Sequence, residues 1–365
     1  MNLKKIDKYI ITELINVFLF GVVAFSSIFA GVGIIPNLVS EANKYGLDFR
    51  TVFSWFIGRI PQLMVYTFPM SILLATLQVF GRLSGDSEIT AFRSSGISLQ
   101  RIITPALFVG LLVSMLTLVF NEQIVPKANL YVEYLMAKAQ HEYKPSFRTS
   151  VNIPQYENGF LKRTINARVM FKQTMKDITV LEYDEGNLQR VVFANEAVFD
   201  PGKGWNFLHG ILYLFDKQED SITRITFDKE FVNLNLNPAD INVILDNSNS
   251  TQLGFLALSK QIEKKKITGV DVSKLLVELY LKTSIPFACF IFTLLGAPLG
   301  LKPQRTSSSV GIGLSLLVVI FYYILMAVGQ WLGLIHVLPP ILAAWVPNLI
   351  IGGIGIYLLV LKANE

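Results

Sequence analysis

Five stretches of the chain lack Asp, Glu, Lys and Arg for about the length of a membrane-crossing helix or more. They are Leu14–Ser40 (27 residues), Ile60–Gly81 (22), Ile102–Asn121 (20), Thr283–Leu301 (19) and Thr306–Leu361 (56). About 20 apolar residues cross a bilayer as a helix, and a charge at the helix centre costs roughly 2.5–3.5 kcal/mol on insertion scales. The first four runs therefore predict one span each. The last is too long for one helix and is broken at Leu338-Pro339-Pro340, so it predicts two. The arrangement is three spans, an intervening region, and three more spans.

Between the two groups the hydrophobic period changes to two. Asp177–Tyr183 reads as a strand entering the turn cluster Asp184-Glu185-Gly186-Asn187. Leu188–Phe199 continues as strand to the turn Asp200-Pro201-Gly202-Lys203-Gly204, and Trp205–Phe215 and Ile222–Leu236 read as further strands. Such spacing predicts a β-sandwich or jelly roll. Flanking it, 126–140 and 259–266 read as helices leading out of span three and back toward span four.

Composition sharpens this division. Charged residues make up 16% of the 365, and the mean hydropathy is +0.47, against roughly 25% charged in an average soluble protein. Residues 127–274 hold 19 basic and 18 acidic residues in 148 positions, 25%, while the other 217 positions hold 13 and 9, about 10%. A soluble-type domain is inserted between two apolar halves. The first run is too long for a cleaved signal peptide, and its far end, Ile35-Pro36-Asn37-Leu38, lacks a small-residue cleavage pattern, so a retained anchor is expected.

Basic residues near helix ends set orientation. Lys4, Lys5, Lys8, Arg82, Arg93, Arg101, Lys302, Arg305 and Lys362 fall on one side; the opposite short loops hold Lys44 and Arg50. The richer side is expected to be cytoplasmic, with both termini there and the middle domain outside, in the periplasm if the source is bacterial.

Several chemistries are excluded. One Cys, Cys289, leaves no disulfide framework, and His141, His209 and His336 have no metal-ligand or triad spacing. Gly202-Lys203 is the only Gly-Lys; Ala197 stands where a phosphate loop begins with Gly, and Gly204 follows, so this is a turn and not an ATP site. Ion-coupled transport needs ionisable residues at mid-membrane. The runs offer Gln62, Gln78 and Gln330, whereas Arg59, Glu278 and Lys282 lie near helix ends, the last two spaced i, i+4 so as to pair with each other. Gly296-x-x-x-Gly300 and Gly329-x-x-x-Gly333 permit close helix packing.

The loop between spans two and three, Arg82 to Ser98, is the most informative short segment. Asp86 or Ser87 can cap a short helix with acids in its first turn, Arg93 in its last, and Gly96 ending it. Ile89, Phe92 and Gly96 share a face. Such a helix suits docking into a groove on another protein, or lying on lipid headgroups.

Glu88–Ser98 followed by Ile102-Ile103-Thr104-Pro105-Ala106-Leu107 resembles the permease subunits of the lipopolysaccharide exporter, the LptF/LptG (YjgP/YjgQ) family. So do Ala297-Pro298-Leu299-Gly300 before a basic loop and Leu338-Pro339-Pro340 with Ala344-Trp345-Val346-Pro347-Asn348 in the last span. The resemblance runs along essentially the whole chain. It implies an α-helical membrane protein with six transmembrane helices (3+3) and an inserted periplasmic all-β jelly-roll-like domain: residues 1–125 with spans one to three and a coupling helix at about 86–96, 126–270 with the β domain and its flanking helices, and 271–365 with spans four to six.

The resemblance further implies a multi-pass protein of the bacterial inner membrane that carries no cofactor and is not itself an enzyme. ATP and Mg would be bound by a cytoplasmic LptB-like ABC ATPase dimer. Its other partners would be a second permease chain (paralogue or second copy), periplasmic LptC/LptA-like jelly-roll proteins and lipopolysaccharide, with no nucleic acid. Asp86, Glu88, Phe92, Arg93 and Gly96 would couple to the ATPase. Spans one and five would line the lipid path, with Phe18, Phe25 and Phe29 on one face of span one and Leu316, Ile320, Tyr323 and Ala327 on one face of span five; both stripes equally fit lipid-facing or packed surfaces. Family members that handle phosphorylated lipid A tend to carry basic residues near the outer end of span one. Here residues 30–40 have none, so the expectation is a less anionic head group, or contacts from Lys44 and Arg50. The other reading of the chain is an ABC-type mechanotransmission protein that moves a periplasmic partner without carrying lipid.

Overall fold

The computed structural model describes residues 3–139, 148–157, 160–171, 173–184, 186–202, 204–216, 221–234, 236–238, 240–241, 253–267, 269–301 and 308–364. The predicted points Lys203, Lys302, Arg305 and His141 lie outside them. The chain divides into two compact units, one of residues 1–141, 250–255 and 273–365, the other of residues 142–249 and 256–272.

The first unit is helical: α1 (Leu3–Phe29), α2 (Ile35–Tyr45), α3 (Phe49–Gly85), α4 (Glu88–Ser94), α5 (Leu99–Val119), α6 (Val125–Ala139), α8 (Ser273–Gly300), α9 (Ser308–Leu334) and α10 (Pro340–Asn364). Among the described residues six helical stretches are long and apolar enough to cross a membrane. The first three uncharged runs fall inside the first three stretches, the fourth ends one residue past the fourth, and the 56-residue run covers most of the last two. The first three reach 41, 37 and 38 residues. At 1.5 Å per residue these are roughly 55–60 Å long, about twice a hydrocarbon core of some 30 Å.

The first and third reach that length because single π turns, Ala30–Ile34 and Phe120–Ile124, carry α1 into α2 and α5 into α6 without a break, whereas the second is the one helix α3. Helix α6, placed with the middle domain on its charge content, therefore stays with the helical unit. It packs on α3, where the Gly58 backbone lies against Val132 and a small cluster joins Leu38, Trp55 and Val132.

Helix α3 is central and largely buried, with Ile72, Leu73, Ala75 and Phe80 fully inaccessible. It meets α1, α8 and α9. Both small-residue motifs serve contacts within the chain. A Cβ at Gly296 would strike Thr76 of α3, and one at Gly300 would come within 2.9 Å of Phe80 Cβ. Gly329 and Gly333 let α9 close on Ala343 of α10. Hydrogen bonds supply the remaining specificity, since without water each polar group needs a protein partner. Buried Asn348 donates to the Ser284 carbonyl (2.8 Å) and hydroxyl oxygen (3.0 Å), and accepts from Tyr322 Oη (3.1 Å), tying α8, α9 and α10 together.

The second unit holds six antiparallel strands in one sheet, in chain order: β1 (Arg148–Glu157), β2 (Phe160–Phe171), β3 (Thr174–Asp184), β4 (Asn187–Asp200), β5 (Gly204–Asp216) and β6 (Ser221–Val232). The predicted strands correspond to β3 to β6, the last ending at Val232 in place of the expected Leu236; Glu185 of the first predicted turn lies outside the described residues. Strand order makes the described sheet a meander whose long strands enclose their own core, with Ile165, Ile178, Val180, Val192, Trp205 and Phe207 inward. Helix α7 (Phe255–Ile267) occupies the second predicted flanking position.

Candidate functional site in the helical unit

Helix α3 runs to Gly85, and the chain then turns sharply. The Asp86 amide donates to the Arg82 carbonyl (2.8 Å) and that of Ser87 to the Ser84 carbonyl (3.1 Å). This turn forces Ser87 to φ +60°, where its side chain makes no capping bond to α4. The expected side-chain cap from Asp86 or Ser87 is thus absent, because an N-cap needs extended backbone angles. The other end matches expectation. Gly96 takes φ +83°, its amide bonds the Arg93 carbonyl (2.9 Å), and the Ile97 amide bonds the Phe92 carbonyl (3.1 Å). This is the paired closure that favours glycine after a helix.

The face carrying Ile89 and Phe92 turns inward: Ile89 is buried, and Phe92 and Ile97 pack against the helical core. Phe92 is therefore a wedge holding α4 against its own chain. Glu88 also has a partner inside the unit, accepting from Tyr9 Oη of α1 (3.2 Å). Tyr9 Oη in turn accepts from Arg82 (3.0 Å), and Arg82 pairs with Glu13 (3.3 Å). Asp86, Thr90, Ala91, Arg93, Ser94 and Gly96 face outward. A push on that outer face would thus reach α1 and α3 through the Glu88–Tyr9–Arg82–Glu13 chain. Nothing in the sequence marks Tyr9; Arg82 stood out only as an orientation charge.

Spans one and five are poorly covered. In the most apolar stretch of each span, 28% of residues are buried in the first and 22% in the fifth, against 78% in the second. The proposed stripe on span one splits. Phe18 and Phe25 are buried, with the Phe18 ring 5.7 Å from that of Phe68 on α3, while Phe29 is exposed beside Ile28 and Val32. On span five Leu316, Ile320 and Ala327 are exposed, and Tyr323 turns inward to bond the Tyr66 carbonyl (3.2 Å). Lys44 and Arg50 project from the turn between α2 and α3, and Lys44 lies over the Tyr45 ring (4.8 Å).

Glu278 and Lys282 form no direct ion pair among the described residues. Instead Lys282 turns into the bundle, only 8% exposed, and both residues line a cavity of about 220 Å³ between α3, the π turn Phe120–Ile124, α6, α8 and α9. A lone lysine next to a long apolar run carries no sequence sign of which way it points. Among the described residues no His/Cys/Asp/Glu group is placed to hold a metal ion.

A family model described as "Lipopolysaccharide export system permease LptF/LptG" matches residues 8–360. Comparison with curated proteins finds no match.

Proposed function

The chain belongs to the LptF/LptG family of lipopolysaccharide export permeases, and from that premise we propose that it is the membrane half of an ATP-driven exporter that takes lipopolysaccharide from the outer leaflet of the bacterial inner membrane. The observation carrying this reading is the asymmetric cover of the spans, with helices α1 and α9 presenting broad apolar faces that no other described residue of the unit covers. A half-transporter uses them as walls of a chamber completed by a second permease chain, where burial of acyl chains is favoured in proportion to apolar area.

Energy comes from a partner. An LptB-like ATPase dimer, holding ATP and Mg, meets the outer face of α4, where Asp86, Arg93 and Gly96 are accessible. Closure of the ATPases presses α4, and the Glu88–Tyr9–Arg82–Glu13 links pass the displacement to α1 and α3. The chamber narrows and lipid leaves the membrane. In the sheet, β1 and β6 are the end strands, and β6 exposes Ile222, Ile225 and Phe231. An open edge of this kind can add a strand from an LptC/LptA-like neighbour. The charged end of α4 then lies in the cytoplasm and the sheet in the periplasm.

Depletion of the protein followed by assay of surface lipopolysaccharide tests the reading. Lipopolysaccharide held back at the inner membrane is expected. Unchanged surface lipopolysaccharide, with an ATPase still co-purifying, would replace export by mechanotransmission to a periplasmic partner.

A further inference from the structure

Two opposite charges that form no direct ion pair line the cavity between α3, the π turn Phe120–Ile124, α6, α8 and α9. Lys282 and Glu278 lie four residues apart, on one face of α8, where Cβ atoms stand about 5–6 Å apart. Lys282 is buried, and among the described residues its ammonium has no hydrogen-bond or ion-pair partner. A second carboxylate near Lys282, Glu122, accepts a hydrogen bond from the Phe255 amide (2.7 Å). Around the two charges stand Gln62, Tyr66, Asn121 and Gln330. Asn121 belongs to the π turn Phe120–Ile124, a kind of helix irregularity frequent at functional sites.

Depth and size narrow the occupant. Lys282 immediately precedes the uncharged run Thr283–Leu301, and Asn121 closes the run Ile102–Asn121, so the cavity sits at the edge of the hydrocarbon layer. At about 220 Å³ it falls below the roughly 300 Å³ at which pockets for drug-sized ligands begin. A volume of that order suits a small polar fragment. A plain anion would meet Glu278, and a plain cation would meet Lys282. A phosphate and a primary ammonium two carbons apart satisfy both, with the side-chain amides of Gln62 and Gln330 left to bond the phosphate oxygens, while Asn121 donates to the Lys282 carbonyl (3.0 Å). A quaternary ammonium has no N–H to give Glu278 and depends on an aromatic cage, whereas Tyr66 is the one aromatic residue in this lining.

We infer that this cavity binds the phosphoethanolamine headgroup of a lipid, phosphate toward Lys282 and ammonium toward Glu278. The site stands apart from the export reading and does not depend on it.

The test is native mass spectrometry of the full chain in detergent, titrated with dihexanoyl phosphatidylethanolamine, phosphatidylglycerol or phosphatidylcholine, and with free O-phosphoethanolamine. Phosphatidylethanolamine is expected to bind at least about tenfold tighter than the other two lipids, the scale of one lost hydrogen bond to a charged group. Glu278→Gln should erase the preference over phosphatidylglycerol, and Lys282→Gln should weaken phosphatidylethanolamine binding by a similar factor. Lys282→Arg guards against misfolding by retaining binding, and Lys274→Gln, exposed on the same helix, should change nothing. Equal binding of all three lipids, a preference that survives Glu278→Gln, or loss of binding in Lys282→Arg with the fold intact would each overturn the inference. Free O-phosphoethanolamine binding as tightly as the lipid would overturn the lipid assignment.

Discussion

Replacing Asn348 with leucine tests whether the last three spans are joined by hydrogen bonding or by apolar packing alone. Asn348 is 2% exposed and makes three bonds: to the carbonyl and hydroxyl of Ser284, and from the Tyr322 hydroxyl. Interhelical side-chain bonds in membranes average about 0.6 kcal/mol, with a maximum near 1.7. Three of them come to about 2 kcal/mol, and Tyr322→Phe, which loses one and keeps its ring against Phe292 (4.9 Å), to about 0.6. Cys289 is a built-in reporter: it is the only cysteine, fully buried in the same bundle, and bonded to Thr117 (3.4 Å). Its labelling by a maleimide in mixed micelles tracks the open population while closing outruns reaction. At 1.4 kcal/mol per tenfold, Asn348→Leu should label about 30-fold faster and Tyr322→Phe about threefold. The double variant should show coupling near 0.6 kcal/mol. Labelling of Asn348→Leu within twofold of the parent would refute the argument, leaving packing as the whole of the attachment.

Three further outcomes are expected. Gly296→Val should loosen the α3–α8 contact by about 1–3 kcal/mol, an overpacking cost, and speed Cys289 labelling; Gly31→Ala, with open space around its Cα, should leave the rate unchanged. Tyr9→Phe cuts the link between Glu88 and Arg82 while leaving the outer face of α4 intact. It should lower lipid release per ATP hydrolysed without lowering ATPase co-purification, and an unchanged ratio would remove the link from the transmission path. Trp205→Phe removes the bond from Trp205 Nε1 to the Leu236 carbonyl (2.7 Å) at a buried site. It should destabilise the β unit by about 1–2 kcal/mol, seen as faster proteolysis within residues 148–232 and no change at Cys289.

Six spans, the β insert with its turns, and the short helix after span two were all legible from one chain, because each is a local property. Helix length follows from an uncharged run, strands from alternation, and the end of α4 from a glycine able to adopt φ +83°. What the residues of those elements face was not legible. Phe18, Phe25 and Phe29 form one stripe at helical spacing, yet two are buried, Phe18 against Phe68 of α3, and one is exposed, since the period of a helix is silent about where its neighbours stand. Phe92 read as a docking side chain, and its half-buried ring also packs against its own core. Glu278 and Lys282 read as an i, i+4 pair near a helix end; rotation of α8 in the bundle turns the lysine inward and leaves the pair unmade.

The sequence by itself determined how many times the chain can cross a bilayer and where its soluble insert lies, because charges are costly in hydrocarbon and a single run either contains them or does not. Only the tertiary structure decided which apolar faces remain uncovered, which polar groups such as Tyr9, Ser284, Asn348 and Lys282 find one another or a cavity, and where the strand edges fall. Those properties belong to pairs of elements far apart in the chain, and no single segment encodes them.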